Sequence, residues 1–295
     1  MRILLVGTGS NLPIPPNGWG GVERVIWAHN VELEKLGHSV DIFNGKDPNE
    51  LRKKIQDNPY DIVHSHFHRF NEVMAGMCMP YVYTCHAGSW IKRWDGYAKV
   101  FQDPWCYPMP FEEMGQRLKK EHHSIWNGAD PEIFKPTDKR RGQCVAVGRY
   151  EPRKNFERVV DIIRSKPEYQ LFLVGPGNER FHGIPNVIVL GNLPEREVGK
   201  LMGCSEFFFH LADEEADCLA VKEAGMCGCK MVLSPYNATV FGHSVAWNDP
   251  EALSICRDLF ADRALELSQQ KYTWEKVVDN LLVGYDKFLA WRKSL

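Results

Sequence analysis

No Cys-x-x-Cys pair occurs in this 295-residue sequence. Its nine cysteines are scattered, and Cys227-Gly228-Cys229 is their closest spacing. An odd, unpatterned set in a chain long enough to bury a core points to reduced thiols and a cytoplasmic setting. Neither sign of charge dominates: 36 Lys and Arg stand against 38 Asp and Glu, a formal net charge of −2. That balance gives no electrostatic ground for a nucleic-acid partner. No apolar run approaches the roughly 20 residues that a bilayer span needs. The opening Met1-Arg2-Ile3-Leu4-Leu5-Val6-Gly7 meets glycine too early for a signal peptide. There is no internal repeat and no low-complexity tract.

The size suits two domains of about 100–150 residues each. With 44% apolar and 25% charged residues, the composition is that of an ordinary soluble globular protein. Short apolar runs alternate with helical patterns in two series. The first predicts strands at Arg2–Val6, Ser39–Phe43, Ile62–His66 and Tyr81–Thr84, with helices at Gly21–Leu36 and Asn49–Gln56. The leading helix puts Val22, Val25, Ile26, His29 and Leu33 on one face and stops at Gly37. The second series predicts strands at Cys144–Val147, Gln170–Val174, Val187–Leu190, Phe207–His210 and Met231–Ser234. Its helices fall at Phe156–Arg164, Glu195–Met202 and Leu219–Cys227. This rhythm predicts parallel sheets with crossover helices, hence an α/β fold of two doubly wound domains across a cleft. Asp130–Arg141, rich in proline and charge, reads as the linker. From Gly88 to Pro110 the pattern gives way to Trp90, Trp94, Tyr97, Phe101, Trp105 and Tyr107. These aromatics suit a platform on which sugar rings stack, a peripheral membrane contact beside Lys92, Arg93 and Lys99, or ordinary packing.

Several segments bring chemistry to the carboxyl ends of strands, where open α/β sheets bind ligands. Glu215 and Glu223 stand in Glu-Ala-Asp-Cys-Leu-Ala-Val-Lys-Glu, one in a loop after Phe207–Phe209 and one two turns into a helix. Carboxylates placed there accept hydrogen bonds from sugar diols, and the helix start between them offers N–H groups to an anion. An acidic loop before a helix also serves simple dipole electrostatics. Gly148-Arg149-Tyr150-Glu151-Pro152-Arg153-Lys154-Asn155 joins a strand to a helix, with Asn155 the expected N-cap. A guanidinium fork at Arg149 and a point charge at Lys154 suit a departing diphosphate. Two solvated basic side chains are the plainer alternative. Pro15-Pro16-Asn17-Gly18-Trp19-Gly20-Gly21 opens the first helix with glycines that let backbone approach a phosphate or sugar. It is not a G-x-G-x-x-G fingerprint, so it argues little for NAD, and a flexible turn fits it equally. His64, His66 and His68 share one strand face by period two, a spacing like that of metal ligands. No acidic or cysteine partner lies at a telling distance, so hydrogen-bonded histidines rather than a metal are expected. His86 directly follows a strand.

Taken in order, these pieces resemble the retaining GT-B glycosyltransferases of the family-four type, glycosyl transferases group 1. The likeness runs nearly end to end. It is carried by Gly20-Gly21-Val22-Glu23-Arg24, Leu36-Gly37-His38-Ser39-Val40, Asp61-Ile62-Val63-His64-Ser65-His66 and Thr84-Cys85-His86. It continues through Asn127-Gly128-Ala129-Asp130, Phe134-Lys135-Pro136, Val147-Gly148-Arg149 to Lys154-Asn155, Leu173-Val174-Gly175-Pro176-Gly177 and Gly191-Asn192-Leu193-Pro194, then Glu215 to Glu223. The closing Tyr272-Thr273-Trp274-Glu275 and the helix to Leu295 resemble the family's terminal helix, which returns to the first domain.

The resemblance implies two Rossmann-like domains, 1–128 with the returning helix 276–295 on the acceptor side and 129–275 on the donor side. It implies transfer of a sugar from a UDP- or GDP-sugar to a glycan, lipid or small-molecule acceptor, with retention and without a metal or other cofactor. Glu223 is then the ribose ligand and Glu215 meets the donor sugar. Arg149 and Lys154 hold the diphosphate, with Gly148 in the same loop and Gly20 and Gly21 approaching from the other domain. His86 faces the reaction centre, and the backbone near Leu193 borders the base. In place of the family's usual Phe-Gly pair the chain has Asp217-Cys218 before Leu219. That adds a negative charge beside the expected diphosphate, and keeps open a nucleotide-sugar epimerase and a non-catalytic nucleotide-sugar binding protein.

Overall fold

The computed structural model describes residues 1–67, 70–77, 79–86, 98–102, 122–213, 215, 217–234, 237 and 261–293. His68 and the aromatic positions Trp90, Trp94, Tyr97, Trp105 and Tyr107 lie outside these residues. The chain divides into two compact units, Met1–Asn127 with Trp274–Leu295, and Gly128–Thr273.

The first unit is built on a six-stranded sheet with the order β2-β1-β3-β4-β5-β6. Its strands are β1 (Arg2–Val6), β2 (Ser39–Phe43), β3 (Ile62–Ser65), β4 (Tyr81–Cys85), β5 (Ala98–Gln102) and β6 (His122–Ser124). Every pairing is parallel. Period-two alternation sorts the core into two layers. Leu4, Val6, Val63, Tyr81 and Tyr83 pack with Leu51 and Ile55 of α2 (Pro48–Gln56) and Val73 and Met74 of α3 (Asn71–Gly76). Ile3, Leu5, Ile62 and Val82 face Ile26 and Leu33 of α1 (Gly21–Lys35). Helical spacing then brings Val278, Leu281, Tyr285 and Phe288 of the chain's last helix onto that same layer.

The second unit carries a five-stranded parallel sheet, order β11-β10-β7-β8-β9. Its strands are β7 (Arg140–Val147), β8 (Gln170–Val174), β9 (Val187–Gly191), β10 (Ser205–His210) and β11 (Lys230–Leu233). The helices are α4 (Phe156–Arg164), α5 (Glu195–Cys204), α6 (Leu219–Met226) and α7 (Ala261–Lys271), and α8 (Trp274–Arg292) is the last helix of the first unit. Phe207 and Phe209 of β10 join Cys144 and Ala146 of β7 and the apolar face of α4 in one core. Because β8 flanks β7 on one side and β10 on the other, the strand order reverses between β7 and β10. That reversal is the switch point at which doubly wound sheets bind ligands.

Most bounds fall within two residues of the sequence reading. Strands β5 and β6 and helix α7 were not among the elements it predicts, and three further differences fall at β7, α2 and α3. β7 starts at Arg140 rather than Cys144, because the ladder runs on into polar residues: Gly142 donates its N–H to Glu206 Oε2 at 2.7 Å. Helix α2 starts at Pro48, capped by Asp47, whose Oδ1 accepts from the N–H of Asn49 at 2.8 Å. Helix α3 was not anticipated; six residues give too short a window for its period to show.

The turn after β7 depends on a close backbone approach. A Cβ on Gly175, which has φ +125°, would lie 2.2 Å from the carbonyl oxygen of Gly148. Asn178 locks that approach by donating Nδ2 to the carbonyls of Gly148 and Gly175, each at 3.0 Å. Gly175→Ala is expected to lower unfolding free energy by roughly 2–4 kcal/mol, from backbone strain plus the clash. Gly183→Ala, also at positive φ but with nothing within 4 Å of its would-be Cβ, should cost only about 1 kcal/mol. Urea denaturation of the two variants checks the difference, and equal losses would refute the close-approach argument.

Candidate functional site

The switch point of the second unit is occupied by charge. Val147 ends β7, and the chain turns through a 3-10 segment, Pro152–Lys154, before α4 begins. Asn155 stands at the N-cap position, but the expected side-chain cap is not there. Its backbone is left-handed (φ 54°) and its side chain makes no cap hydrogen bond. Instead Nδ2 donates to the Leu211 carbonyl at 2.9 Å and to Asp213 Oδ1 at 2.8 Å, and the Asp213 N–H donates to the Arg153 carbonyl at 2.9 Å. These bonds stitch the loop after β7 to the loop after β10.

The stitch brings Lys154 Nζ to 2.6 Å from Glu215 Oε1, each side chain being only 14% exposed. Arg153 lies 3.5 Å from the other carboxylate oxygen, and His210 Nε2 3.6 Å from Oε1. Burial pushes the Glu215 carboxyl up, but Lys154, His210 and Arg153 outweigh it and hold the group below the ordinary carboxylate value. Burial likewise pulls Lys154 down, and Glu215 overcomes it, leaving the ammonium raised. The result is a firmly ionised pair. His210, at the end of β10, is driven by burial down to about 4 and is neutral at pH 7. Cys218 Sγ lies 4.0 Å from His210 Nδ1, and burial lifts its thiol to about 12, so it is a thiol rather than a thiolate.

Arg149 takes a different partner, Glu151, which also accepts from Arg153 at 2.7 Å. Gly148 sits against the lysine stem: a Cβ there would lie 3.4 Å from Lys154 Cδ. Cys218 stands at the N-cap position of α6, Leu219 is its first residue and Glu223 lies in its second turn, 1% exposed. Leu193 follows β9. The added charge at Asp217 is met inside the protein, since its Oδ1 lies 2.7 Å from Lys222 Nζ with side chains 3% and 1% exposed. Lys222 Nζ also stands 4.0 Å above the Tyr272 ring. The structure therefore gathers Gly148, Lys154 and Glu215 together, turns Arg149 to Glu151, adds Arg153 and His210 to the cluster, and pairs Lys222 with Asp217. Arg153 and Lys222 lay inside the segments already singled out; His210 was legible only as a strand terminus.

In the first unit, Gly20 (φ 141°) precedes α1, and Gly21 is its first residue. Glu23 organises the loop before them, with Oε1 accepting from Thr8 Oγ1 at 2.7 Å and Ser10 Oγ at 2.9 Å. His86, just past β4, has Nε2 at 3.1 Å from His66 Nδ1, the two rings stacked with centroids 5.3 Å apart.

Two Rossmann-like units, each built on a parallel sheet, make this an α/β protein with the GT-B type of fold. Residues 130–240 match the family model of glycosyl transferases group 1, a segment that spans the whole cluster from Gly148 to Glu223. Comparison with curated proteins finds no sequence match. Among solved structures, AviGT4, a glycosyltransferase of avilamycin A biosynthesis, is similar over 98% of this chain and 98% of its own, at 16% identity and a TM-score of 0.74. Sucrose-phosphate synthase from Thermosynechococcus elongatus is similar over 98% and 99%, at 16% identity and a TM-score of 0.77. Anabaena HepE, solved with UDP-glucose, is similar over 100% of both chains at 15% identity and a TM-score of 0.73. At such identities the likeness establishes the fold. No helix among the described residues is long and apolar enough to cross a membrane.

The buried imidazole makes the site acid-sensitive. His210 has a depressed folded value, so its contribution is complete above the unfolded value near 6.5 and is lost as pH falls toward 4. A depression from 6.5 to about 4 corresponds to about 3 kcal/mol. Glu215, also depressed, adds a loss at lower pH still. The fall in unfolding free energy from pH 7.5 to 4 should therefore be smaller in His210→Gln than in the parent by about 3 kcal/mol. Urea titrations at the two pH values measure this, and parallel falls would rule the assignment out.

Proposed function

We propose that the chain transfers a sugar from a nucleoside diphosphate sugar to an acceptor, with retention of configuration and without a metal in the transfer. The observation that carries this reading is the buried Lys154–Glu215 pair at the β7–β10 switch point, inside the segment that matches a glycosyltransferase family. A desolvated ammonium beside a strand end suits the growing negative charge of a leaving diphosphate. Its partner carboxylate is assigned to accept from a sugar hydroxyl once phosphate oxygens compete for the ammonium. Arg149 and Arg153 supply further positive charge, the role a metal ion would otherwise fill. Glu223, on α6, is the proposed ribose ligand, and the backbone near Leu193 borders the base. From the first unit, Gly20 and Gly21 offer backbone to the phosphates, and His86 is assigned to the reacting sugar.

HepE was solved with UDP-glucose, which makes UDP-sugars the first donors to test, with GDP-sugars beside them. The acceptor class stays broad, a glycan, a lipid-linked sugar or a small molecule. The internal pairing of Asp217 with Lys222 favours donor binding, because it keeps a bare negative charge away from the diphosphate.

Calorimetric titration with UDP, GDP and their sugars tests the reading. One of these ligands should bind, and Lys154→Ala and Glu223→Ala should each weaken it by about 1–3 kcal/mol, or roughly 5- to 150-fold. Glu215→Gln should leave the bare diphosphate bound at least as tightly, since it releases Lys154, while reducing the preference for the sugar-bearing form. Unchanged affinity in Lys154→Ala would remove that residue from the site, and no binding of any donor would end the proposal.

A further inference from the structure

The face of β3 that meets α1 carries imidazoles that apolar packing does not explain. Alternation turns Ile62, His64 and His66 to this face, and helical spacing brings His29 to it beside Ile26 and Leu33. The rings of His64 and His66 stack with centroids 4.2 Å apart, and that of His29 lies 6.3 and 5.6 Å from them. All three residues are 0% exposed. Buried polar atoms are nearly always hydrogen-bonded, and one left unpaired costs about 1–3 kcal/mol. Yet among the described residues neither ring nitrogen of His29 has a hydrogen-bond partner, nor does Nε2 of His66.

The remaining nitrogens are held in a pattern familiar from metal centres. His64 Nδ1 lies 2.8 Å from the Tyr285 hydroxyl and His66 Nδ1 lies 3.1 Å from His86 Nε2. An outer partner on one ring nitrogen, with the other turned inward, is the usual setting of a ligating histidine. One nitrogen from each of His29, His64 and His66 lies within 4.8 Å of the other two. We propose that these three residues bind one first-row transition-metal ion of the zinc class in the core of the first unit.

Imidazole donors suit zinc, copper and nickel rather than magnesium or calcium. Zinc–nitrogen bonds of about 2.0–2.1 Å put ligand nitrogens about 3.4 Å apart, so ring rotations of roughly an ångström complete the site. His64 Nε2 gives up its 2.6 Å contact with Thr84 Oγ1 to do so. A fourth position goes to water or hydroxide, as in other three-histidine zinc centres. Burial holds the rings neutral, the form that ligates: His29 is lowered to about 3, and His64 and His66 well below the ordinary value. A second group, His210, Glu215 and Cys218, has similar spacing. There Lys154 Nζ already stands 2.6 Å from the carboxylate, and its charge opposes a cation. The proposal is independent of the sugar-transfer reading, and no step of transfer runs through the ion.

The full chain, stripped with a chelator, should take up one zinc ion in a calorimetric titration with zinc alone, and its melting temperature should rise. Cobalt(II) in place of zinc should give visible ligand-field bands without a thiolate charge-transfer band. His29→Phe should weaken uptake by on the order of 100-fold or more while the metal-free variant melts no lower than the metal-free parent, because it removes an unpaired buried polar group. Should that variant not fold, His66→Gln provides the same comparison. Cys218→Ser should leave uptake unchanged. No uptake by the parent, uptake that survives both histidine changes, or a thiolate band abolished by Cys218→Ser would each overturn the site.

Discussion

The Lys154–Glu215 ion pair is the constraint around which the second unit's site is arranged. With both side chains 14% exposed, the pair has given up most of its water. Such pairs contribute little net stability, because desolvation takes back most of the Coulombic gain. Removing either partner would strand a charge, so the surroundings have to hold both. Arg153 does so on the carboxylate side, and the Gly148 backbone leaves room for the lysine stem. An arrangement that stabilises the fold so little is better understood as storage: an oriented ammonium and an oriented carboxylate are ready before any ligand arrives.

That readiness rests on backbone more than on side-chain bulk. The loop after β7 lies close against the loop after β8 only because residue 175 has no Cβ and because Asn178 bridges the two carbonyls. It is tied to the loop after β10 only because Asn155 adopts a left-handed backbone and spends its side chain on Leu211 and Asp213. Three strand ends are thereby fixed to one another at the point where the strand order reverses. The first unit solves a similar problem differently: a single buried carboxylate, Glu23, gathers two hydroxyls and shapes the loop leading into α1.

Much of this was legible in the sequence, and what was not has identifiable reasons. The apolar runs that became β1, β8 and β10 announce themselves, because burial on two faces leaves few polar interruptions, and the helical period of α1 and α4 is as plain. The polar start of β7 does not, since Arg140 and Arg141 belong to the ladder without belonging to the core. Asn155 has the right identity for a cap and a different job, a choice decided by partners 56 and 58 residues away. The glutamates and Lys154 could be singled out by residue type and position. Their pairing could not, because it depends on β7 and β10 becoming neighbours. His64 and His66 were visible by period two. His29, their third partner, comes from a helix on another stretch of chain and had been assigned only to an apolar face.

Asp217 and Lys222 show how a departure from a family pattern can be absorbed. A carboxylate next to an expected diphosphate would repel it by an amount that grows as the local dielectric falls. Here the carboxylate is withdrawn from solvent, paired at 2.7 Å with an ammonium that a tyrosine ring covers from the other side. The two residues are five apart, with Cys218 and Leu219 between them opening α6, so the same turn that starts the helix brings the charges together. Cys218, held as a neutral thiol, adds no charge of its own. Asp217 and Lys222 thus sum to no net charge at the start of α6. Beside that neutralisation, the pair sets the shape and hydrogen-bonding capacity of the turn that opens α6.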